Sequence, residues 1–167
     1  MTMDCTVAEN EQATEGTVAE NEQATEGTVA EKTMDLEARV RAFFETWKTR
    51  DPDRLARFFA PDASWTEPNR EPAMGIEMVR AVLGVDTSFA RAFEFEFVTV
   101  GTIGRSVFTE RIDRFVVANH AIVMAVAGVF EFDPLGRITA WRDYYDWAHL
   151  RRELHAAGID TDSVDRR

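Results

Sequence analysis

Residues 136–146 read Gly-Arg-Ile-Thr-Ala-Trp-Arg-Asp-Tyr-Tyr-Asp, and this stretch has the composition of a β-strand that mixes apolar and ionisable side chains. Successive side chains on a strand point to opposite faces of a sheet. Thr139, Trp141, Asp143 and Tyr145 are therefore predicted to share one face. If that face is the interior, the fold buries a carboxylate, and a buried charge is costly unless it is paired.

A second stretch of the same kind lies upstream, where residues 109–113 read Thr-Glu-Arg-Ile-Asp. By the same alternation, Thr109, Arg111, Asp113 and Phe115 share a face. One arginine and two aspartates, counting Asp143, are thus candidates for a common interior site. Such a cluster in an apolar pocket is typical of acid–base chemistry, because burial and charge can push two carboxyl pKa values apart.

The segments before these strands have helical spacing of apolar residues. Asp35 is a candidate N-cap for the first helix. Asp51-Pro52 is a typical start for the second, with an aspartate cap and proline at the first helical position, and Pro61 is expected to end it. The pattern predicts helices over 36–50, 51–60 and 75–83, with a short strand over 63–66.

From Phe93 onward the period changes from helical to two. The later part of the chain is predicted to form long antiparallel strands and a closing helix, which Asp146 caps and Gly158 ends. Helices that precede such a sheet indicate an α+β fold. A strongly curved sheet wrapped around the helices would make a cone with one deep pocket. The predicted strands are 93–97, 105–118, 121–132 and 137–146, and the last helix is 147–157.

The N-terminal region is a tandem repeat: residues 6–16 read TVAENEQATEG and residues 17–27 repeat this word for word. It has no aromatic residue and cannot bury enough apolar surface to offset the entropy of ordering. Residues 1–34 are therefore predicted to be a disordered acidic tail, 35–158 the folded domain and 159–167 a flexible C-terminal tail.

The formal net charge of the chain is −11, of which residues 1–35 carry −8 through nine acids and one lysine. This acidic balance argues against a nucleic-acid partner. The only cysteine is Cys5, and no cluster has metal-ligand spacing, so neither a disulfide framework nor a metal site is expected. With no apolar run of about 18 residues and no signal peptide, the expectation is a cytoplasmic protein without a membrane partner.

Residues 36–155 resemble the cone-shaped NTF2-like superfamily, which includes SnoaL-like and ketosteroid-isomerase-like proteins. Within it, the chain is most similar to the limonene-1,2-epoxide hydrolase family. Three segments carry this resemblance: 109–113 (TERID), 128–131 (GVFE) and 136–146 (GRITAWRDYYD). The resemblance implies an Asp–Arg–Asp triad made of Asp113, Arg111 and Asp143, with Asp143 as base, Asp113 as acid and no cofactor.

The family also holds the attacking water with a Tyr and an Asn on the first strand. By position, this chain has Trp65 and Glu67 there; a two-residue deletion in the loop would give Asn69 the amide role instead. Trp141 and Tyr145 complete the candidate substrate- and water-binding residues. The chain thus departs from the family in its water-holding pair.

The resulting hypothesis is a cofactor-independent epoxide hydrolase that converts a small apolar, terpenoid-like epoxide and water into a vicinal diol. Two alternatives stay open: a proton-transfer isomerase or cyclase of the same fold, and a non-catalytic small-molecule-binding module. Because residues 121–132 are apolar on both faces, a homodimer through the outer face of the sheet is also expected.

Overall fold

The computed structural model describes residues 34–68 and 70–161, and four α-helices lie within them. Asp35, Asp51 and Asp146 cap α1, α2 and α4, as predicted, since each side chain accepts hydrogen bonds from backbone N–H groups of the first turn. The helices are α1 (Leu36–Trp47), α2 (Pro52–Ala56), α3 (Ile76–Phe89) and α4 (Trp147–Ala156).

In the same described part of the chain, six strands form one curved sheet in the order β2-β1-β6-β5-β4-β3. Strand β1 pairs with β6 in parallel, and every other neighbouring pair is antiparallel. The architecture is the predicted α+β fold with a mixed sheet. The strands are β1 (Phe59–Thr66), β2 (Ala73–Met74), β3 (Arg91–Ile103), β4 (Ser106–Val117), β5 (His120–Phe132) and β6 (Ile138–Tyr145).

The apolar stripe of α1 packs into the hollow of the sheet. Its members recur at helical spacing, and all of them are buried. Phe43 lies edge-on to Trp141 with ring centroids 5.2 Å apart, an orientation that aromatic pairs prefer. The aromatic core therefore positions β6, the strand that carries Asp143. The stripe consists of Leu36, Val40, Phe43, Phe44 and Trp47.

Because β6 contains a β-bulge, the predicted position of Thr139 on the inner face is wrong. Phe132 of β5 pairs with Ile138, but its neighbour Glu131 pairs with Ala140, so Thr139 is an extra residue. Thr139 donates a hydrogen bond to the Glu131 carbonyl at 3.2 Å instead of sharing the inner face with Trp141. The bulge lets Ile138 and Trp141 both point inward, although they are three positions apart.

The second helix is shorter than predicted, and the first strand is longer. α2 ends at Ala56 rather than before Pro61, and Phe59 already pairs with Ile138 of β6. Strand pairing with β6 outweighs the helical spacing of the local sequence. Pro61 consequently lies within β1.

The described C-terminal residues pack on the domain beyond the predicted boundary at Gly158. Thr161 is 1% exposed, so the folded part extends at least to that residue. Residues 1–33 of the predicted disordered tail, and 162–167, lie outside the described residues. Within the described part of the chain, no helix is long and apolar enough to cross a membrane.

Candidate active site

Arg111 lies on the inner face of β4 and joins two carboxylates from different strands. Its Nε donates to Oδ1 and Oδ2 of Asp113 at 2.9 and 3.1 Å, and its Nη2 donates to Oδ2 of Asp143 at 2.5 Å. Arg111 is 1% exposed, and both aspartates are buried. The planar guanidinium suits this role because it presents several N–H donors in a fixed fork. The predicted Asp113–Arg111–Asp143 triad is thus assembled in one place.

Gly128 of β5 makes this assembly possible. It pairs with Thr109 on one side and Asp143 on the other, so it lies between the two strands that the guanidinium must join. A β-carbon at Gly128 would lie 2.5 Å from Arg111 Nη1 and 2.7 Å from Thr109 Oγ1. Arg111 Nη1 instead donates to that Thr109 oxygen at 3.2 Å. Glycine is required because the guanidinium crosses the strand directly over this position.

Asp143 is held from two sides. Oδ2 accepts from Arg111, and Oδ1 accepts a 2.8 Å hydrogen bond from Trp141 Nε1, two residues earlier on the same strand. These two donors, one of them charged, fix the orientation of the carboxyl group. Each oxygen keeps a second lone pair that could accept a proton from water.

Aromatic rings form the wall beside the triad. Trp65 stacks on Trp141 with centroids 4.2 Å apart and an angle of 7° between the rings. On the other side, the Arg111 guanidinium lies over the Phe44 ring at 4.5 Å, a favourable cation–π arrangement. Trp65 and Trp141 are buried, so both act as wall, and Trp141 additionally orients Asp143.

The two carboxyl groups of the triad differ in electrostatic environment. Burial raises the pKa of Asp113 to about 7; the Arg111 charge opposes this rise and Asp143 adds to it. Burial alone would lower the pKa of Arg111, but Asp143 and Asp113 raise it by more, so the guanidinium stays charged. One positive charge between two carboxylates is balanced when a single proton is present, and Asp113 is the carboxyl group whose pKa burial raises.

The triad opens onto a mostly apolar cavity of about 280 Å³. This volume lies close to the lower end of the usual range for small-molecule sites, which are concave, apolar and fitted with a few polar groups. The cavity wall includes Val85, Phe89, Phe93, Met124 and Leu150. The described residues thus form a largely apolar pocket with the triad on its wall.

A second arginine between two carboxylates lines the same cavity. Arg70 Nη1 donates to Oε2 of Glu67 at 2.9 Å, and both Nη atoms donate to Oδ1 of Asp86 at 3.2 Å. The Tyr145 hydroxyl lies 3.5 Å from Oε1 of Glu67. We call Glu67, Arg70, Asp86 and Tyr145 the second cluster.

The pKa values of the acidic groups in the second cluster are also raised. Burial raises the pKa of Glu67 to about 8; Asp86 adds to this rise and Arg70 opposes it. Burial likewise raises the pKa of Asp86, again against Arg70. Burial and the neighbouring Glu67 raise the pKa of Tyr145 well above its ordinary value, so its hydroxyl stays protonated.

Most of the residues predicted from the sequence meet at this cavity. Asp113, Arg111, Asp143, Trp65 and Glu67 all line it, and so do Trp141 and Tyr145. Asn69 lies outside the described residues, and its predicted role stays a prediction.

The sequence reasoning missed Arg70 and Asp86. Asp86 had a detectable signal, because it follows Val79 and Leu83 at helical spacing and so occupies the buried stripe of α3. That helix continues to Phe89, whereas the predicted helix stopped at Leu83. Arg70 lies in a loop without periodicity, where no pattern indicates burial. Among the described residues, no group of three or more His, Cys, Asp or Glu side chains could hold a metal ion.

Comparison with known proteins relates this chain to epoxide hydrolases. A family model of the limonene-1,2-epoxide hydrolase catalytic domain matches residues 35–155. Epoxide hydrolase EphG of Mycobacterium tuberculosis (strain ATCC 25618 / H37Rv) is 44% identical over 54 residues, which span 32% of this chain and 36% of that relative's length.

Solved structures of other proteins are similar to the structure of this chain. An M. tuberculosis LEH-like epoxide hydrolase is 26% identical, with a TM-score of 0.63 over 77% of this chain and 95% of that one. A putative SnoaL-like polyketide cyclase from Shewanella putrefaciens CN-32 has a TM-score of 0.64 at 12% identity, covering 75% and 99% of the two chains, and shows the shared fold. Because the family model spans well over half of its residues, this chain belongs to the limonene-1,2-epoxide hydrolase family.

Proposed function

We propose that this protein is an epoxide hydrolase that adds water to a small, largely apolar epoxide and releases a vicinal diol. The observation that carries the proposal is the Asp113–Arg111–Asp143 triad on the wall of an apolar cavity. The reaction as proposed is a single step, and it uses neither a covalent intermediate nor a cofactor.

Asp143 is the proposed general base. Arg111 and Trp141 fix its carboxylate from two sides, and a free lone pair accepts a proton from the attacking water. As that proton leaves, the water oxygen forms a bond to one epoxide carbon. Positioned general bases typically contribute about 10²–10⁴-fold in rate.

Asp113 is the proposed general acid. Its pKa of about 7 keeps a substantial protonated fraction near neutral pH. Its proton passes to the epoxide oxygen while the carbon–oxygen bond breaks, so the ring opens without a free alkoxide. A catalytic acid is most effective when its pKa lies near the working pH.

The positive charge of Arg111 favours one base and one acid in the triad. With Asp143 ionised and Asp113 protonated, the triad is neutral, and this balance is what a buried site favours. A second proton on the triad, or none, would leave a net charge in the apolar cavity. Arg111 therefore favours the state in which one carboxyl is base and the other acid.

The test is a panel of small cyclic and terpenoid epoxides, incubated in H₂¹⁸O and analysed for diol. We expect ¹⁸O in the diol during a single turnover and none in the protein. Label in Asp113 or Asp143 would instead indicate an ester intermediate and contradict the one-step mechanism. Absence of diol from the whole panel would contradict the function.

A second candidate function is proton transfer next to a carbonyl, with Asp143 as the base. The observation that favours it is Glu67, a carboxyl group at the position where the family resemblance places an amide. Incubation of small ketones in D₂O tests it: enzyme-dependent deuterium at the carbon next to the carbonyl supports this candidate. If neither diol nor deuterated ketone forms, the non-catalytic binding alternative is favoured.

A further inference from the structure

The second cluster contains hydrogen-bond donors that the epoxide chemistry does not use. Its arginine lies between two carboxyl groups, as Arg111 does, but the set comes from the loop after β1, from α3 and from the end of β6. Arg70 Nη1 donates to Glu67 and Asp86, and Nη2 donates to Asp86. Besides this arginine, the second cluster presents the hydroxyl of Tyr145 and the carboxyl of Glu67 to the cavity.

Charge balance places one proton on Glu67. Two ionised carboxylates beside one guanidinium would leave a net negative charge among partly buried side chains, which is unfavourable. Asp86 Oδ1 contacts both Nη atoms of Arg70, whereas Glu67 contacts only Nη1. Burial raises the pKa of both carboxyl groups. Glu67, which has the single guanidinium contact, is assigned the proton and so carries an O–H group.

Glu67 and Tyr145 therefore present two O–H donors side by side. Oε2 of Glu67 already accepts from Arg70, and Oε1 lies 3.5 Å from the Tyr145 oxygen. That separation is too long for a strong O–H···O hydrogen bond. Both side chains line the apolar cavity, so each donor lacks a strong acceptor within the second cluster.

We propose that Glu67 and Tyr145 form a two-donor subsite for a carbonyl oxygen, and that the epoxide taken by this cavity carries a ketone or ester group. This inference rests on the proposed function, because it names the substrate class of the same cavity. Asp143 and Tyr145 are two positions apart on one strand, about 6–7 Å. The carbonyl would therefore lie a few bonds away from the epoxide ring.

A carbonyl oxygen matches this subsite better than water or an anion does. A carbonyl accepts two hydrogen bonds and has no hydrogen of its own. A water molecule held by both donors would still have two hydrogens to place against apolar walls, at the cost of unmade hydrogen bonds. A carboxylate ligand would add negative charge beside Asp86 and Asp143.

The first test is binding, which needs no turnover. The probe is cyclohexanone labelled with ¹³C at the carbonyl, observed by NMR, with cyclohexane as the matched ligand that lacks the oxygen. In the wild type, the carbonyl resonance should move downfield on binding, as hydrogen bonding to the oxygen requires. Glu67→Leu should weaken cyclohexanone binding about fivefold or more, the worth of one hydrogen bond, and leave cyclohexane binding unchanged.

The variants are chosen to keep the fold. Glu67→Leu leaves Arg70 and Asp86 as a balanced pair, and Tyr145→Phe removes only the hydroxyl. Glu67→Gln should retain cyclohexanone binding, since an amide N–H is also a donor. Glu71→Gln is the control, because Glu71 is exposed in the same loop. Cyclohexanone binding that is equal in wild type, Glu67→Leu and Tyr145→Phe would overturn the inference.

A pH series measures an effect on cyclohexanone affinity that a change in packing alone would not produce. Glu67 faces Arg70, Asp86 on α3, and Tyr145 and Asp143 on β6, and its pKa is about 8. Cyclohexanone affinity of the wild type should fall above pH 8, when Glu67 loses its proton, and should be flat over that range in Glu67→Gln. A flat profile in the wild type would contradict the assignment of the proton.

The second test separates this inference from the proposed function. The matched substrates are 4-acetyl-1,2-epoxycyclohexane and 4-ethyl-1,2-epoxycyclohexane, which differ in a carbonyl. We expect Glu67→Leu to raise KM about fivefold or more for the acetyl compound only. An equal loss of kcat for both compounds would assign Glu67 to the water instead and overturn the inference. If neither epoxide is opened by the wild type, the proposed function fails, and the cyclohexanone result alone decides the subsite.

Discussion

A β-carbon at Gly128 would lie 2.8 Å from Oδ1 of Asp143, although the two residues belong to different strands. The candidate active site therefore requires a glycine at this position of β5 as well as the carboxylate on β6.

Gly128→Ala is expected to disrupt the triad without replacing any of its side chains. The added methyl collides with Arg111 and Thr109 as well as Asp143, and overpacking of this kind typically costs about 1–3 kcal/mol of stability. Epoxide turnover should fall at least about 10²-fold, because the base and its orienting arginine are both displaced. Gly101→Ala is the control, since a β-carbon there meets nothing within 4 Å; similar losses in both variants would argue against the packing explanation.

Asp143→Asn and Asp113→Asn should each reduce diol formation by at least about 10²-fold while leaving the protein folded. The first removes the base, and the second removes the acid; asparagine is nearly isosteric in both places. Because the two groups act as a unit, the double variant should be little slower than either single variant. Steady-state kinetics and thermal melting check this, and wild-type turnover by Asp143→Asn would refute its role as base.

The rate of hydrolysis should decline as the pH rises above about 7. Asp113 must carry a proton to act as the acid, and burial raises its pKa to about 7. Above that pH, the protonated fraction falls about tenfold per unit. A pH–rate profile on the preferred epoxide gives the measurement, and a rate that keeps rising to pH 9 would exclude Asp113 as the acid.

The same pKa shift has a consequence for stability. Asp113 takes up its proton at higher pH in the folded state than in the unfolded chain, where its pKa is near 3.8. The folded state therefore binds more protons between about pH 4 and 7, and the unfolding free energy falls as the pH rises through that range. Urea unfolding at several pH values should show this slope, and Asp113→Asn should make it shallower.

We also expect a homodimer through the outer face of the sheet. Ala125 and Ala127 of β5 are exposed there, next to Phe108 and Tyr144, which are 43% and 55% exposed. Apolar patches of this kind mark interaction surfaces. Sedimentation at micromolar concentration should show a dimer that Ala127→Lys dissociates and Leu135→Lys, a change in an exposed turn, does not. A wild-type monomer would reject the expectation.

Strand alternation predicted which candidate residues share a face, and the family resemblance predicted that three of them form a triad. Arg111 and Asp113 had to share a face, and the bulge at Thr139 left Trp141, Asp143 and Tyr145 in phase with one another. Which side chains share a face follows from alternation along a single strand, so it could be predicted from the sequence. The bulge itself depends on the pairing of β6 with β5, and no local pattern revealed it.

The features that could not be predicted from the sequence depend on contacts between residues far apart in the chain. The start of β1 at Phe59 is set by pairing with Ile138, far along the chain. Likewise, the burial of Arg70 depends on Asp86 from α3 and on the cavity behind it. Local periodicity carries no information about either partner.

The two arginines and four carboxyl groups on the cavity wall have a consequence for how substrate arrives. With one proton in each set, their charges sum to zero, although the whole chain carries −11. A neutral ligand approaching this pocket gains nothing from long-range attraction, and its association should be insensitive to ionic strength. The net negative charge of the chain is then carried outside the cavity, most of it by residues 1–35. An uncharged molecule is held inside by apolar contacts and hydrogen bonds and not by net charge.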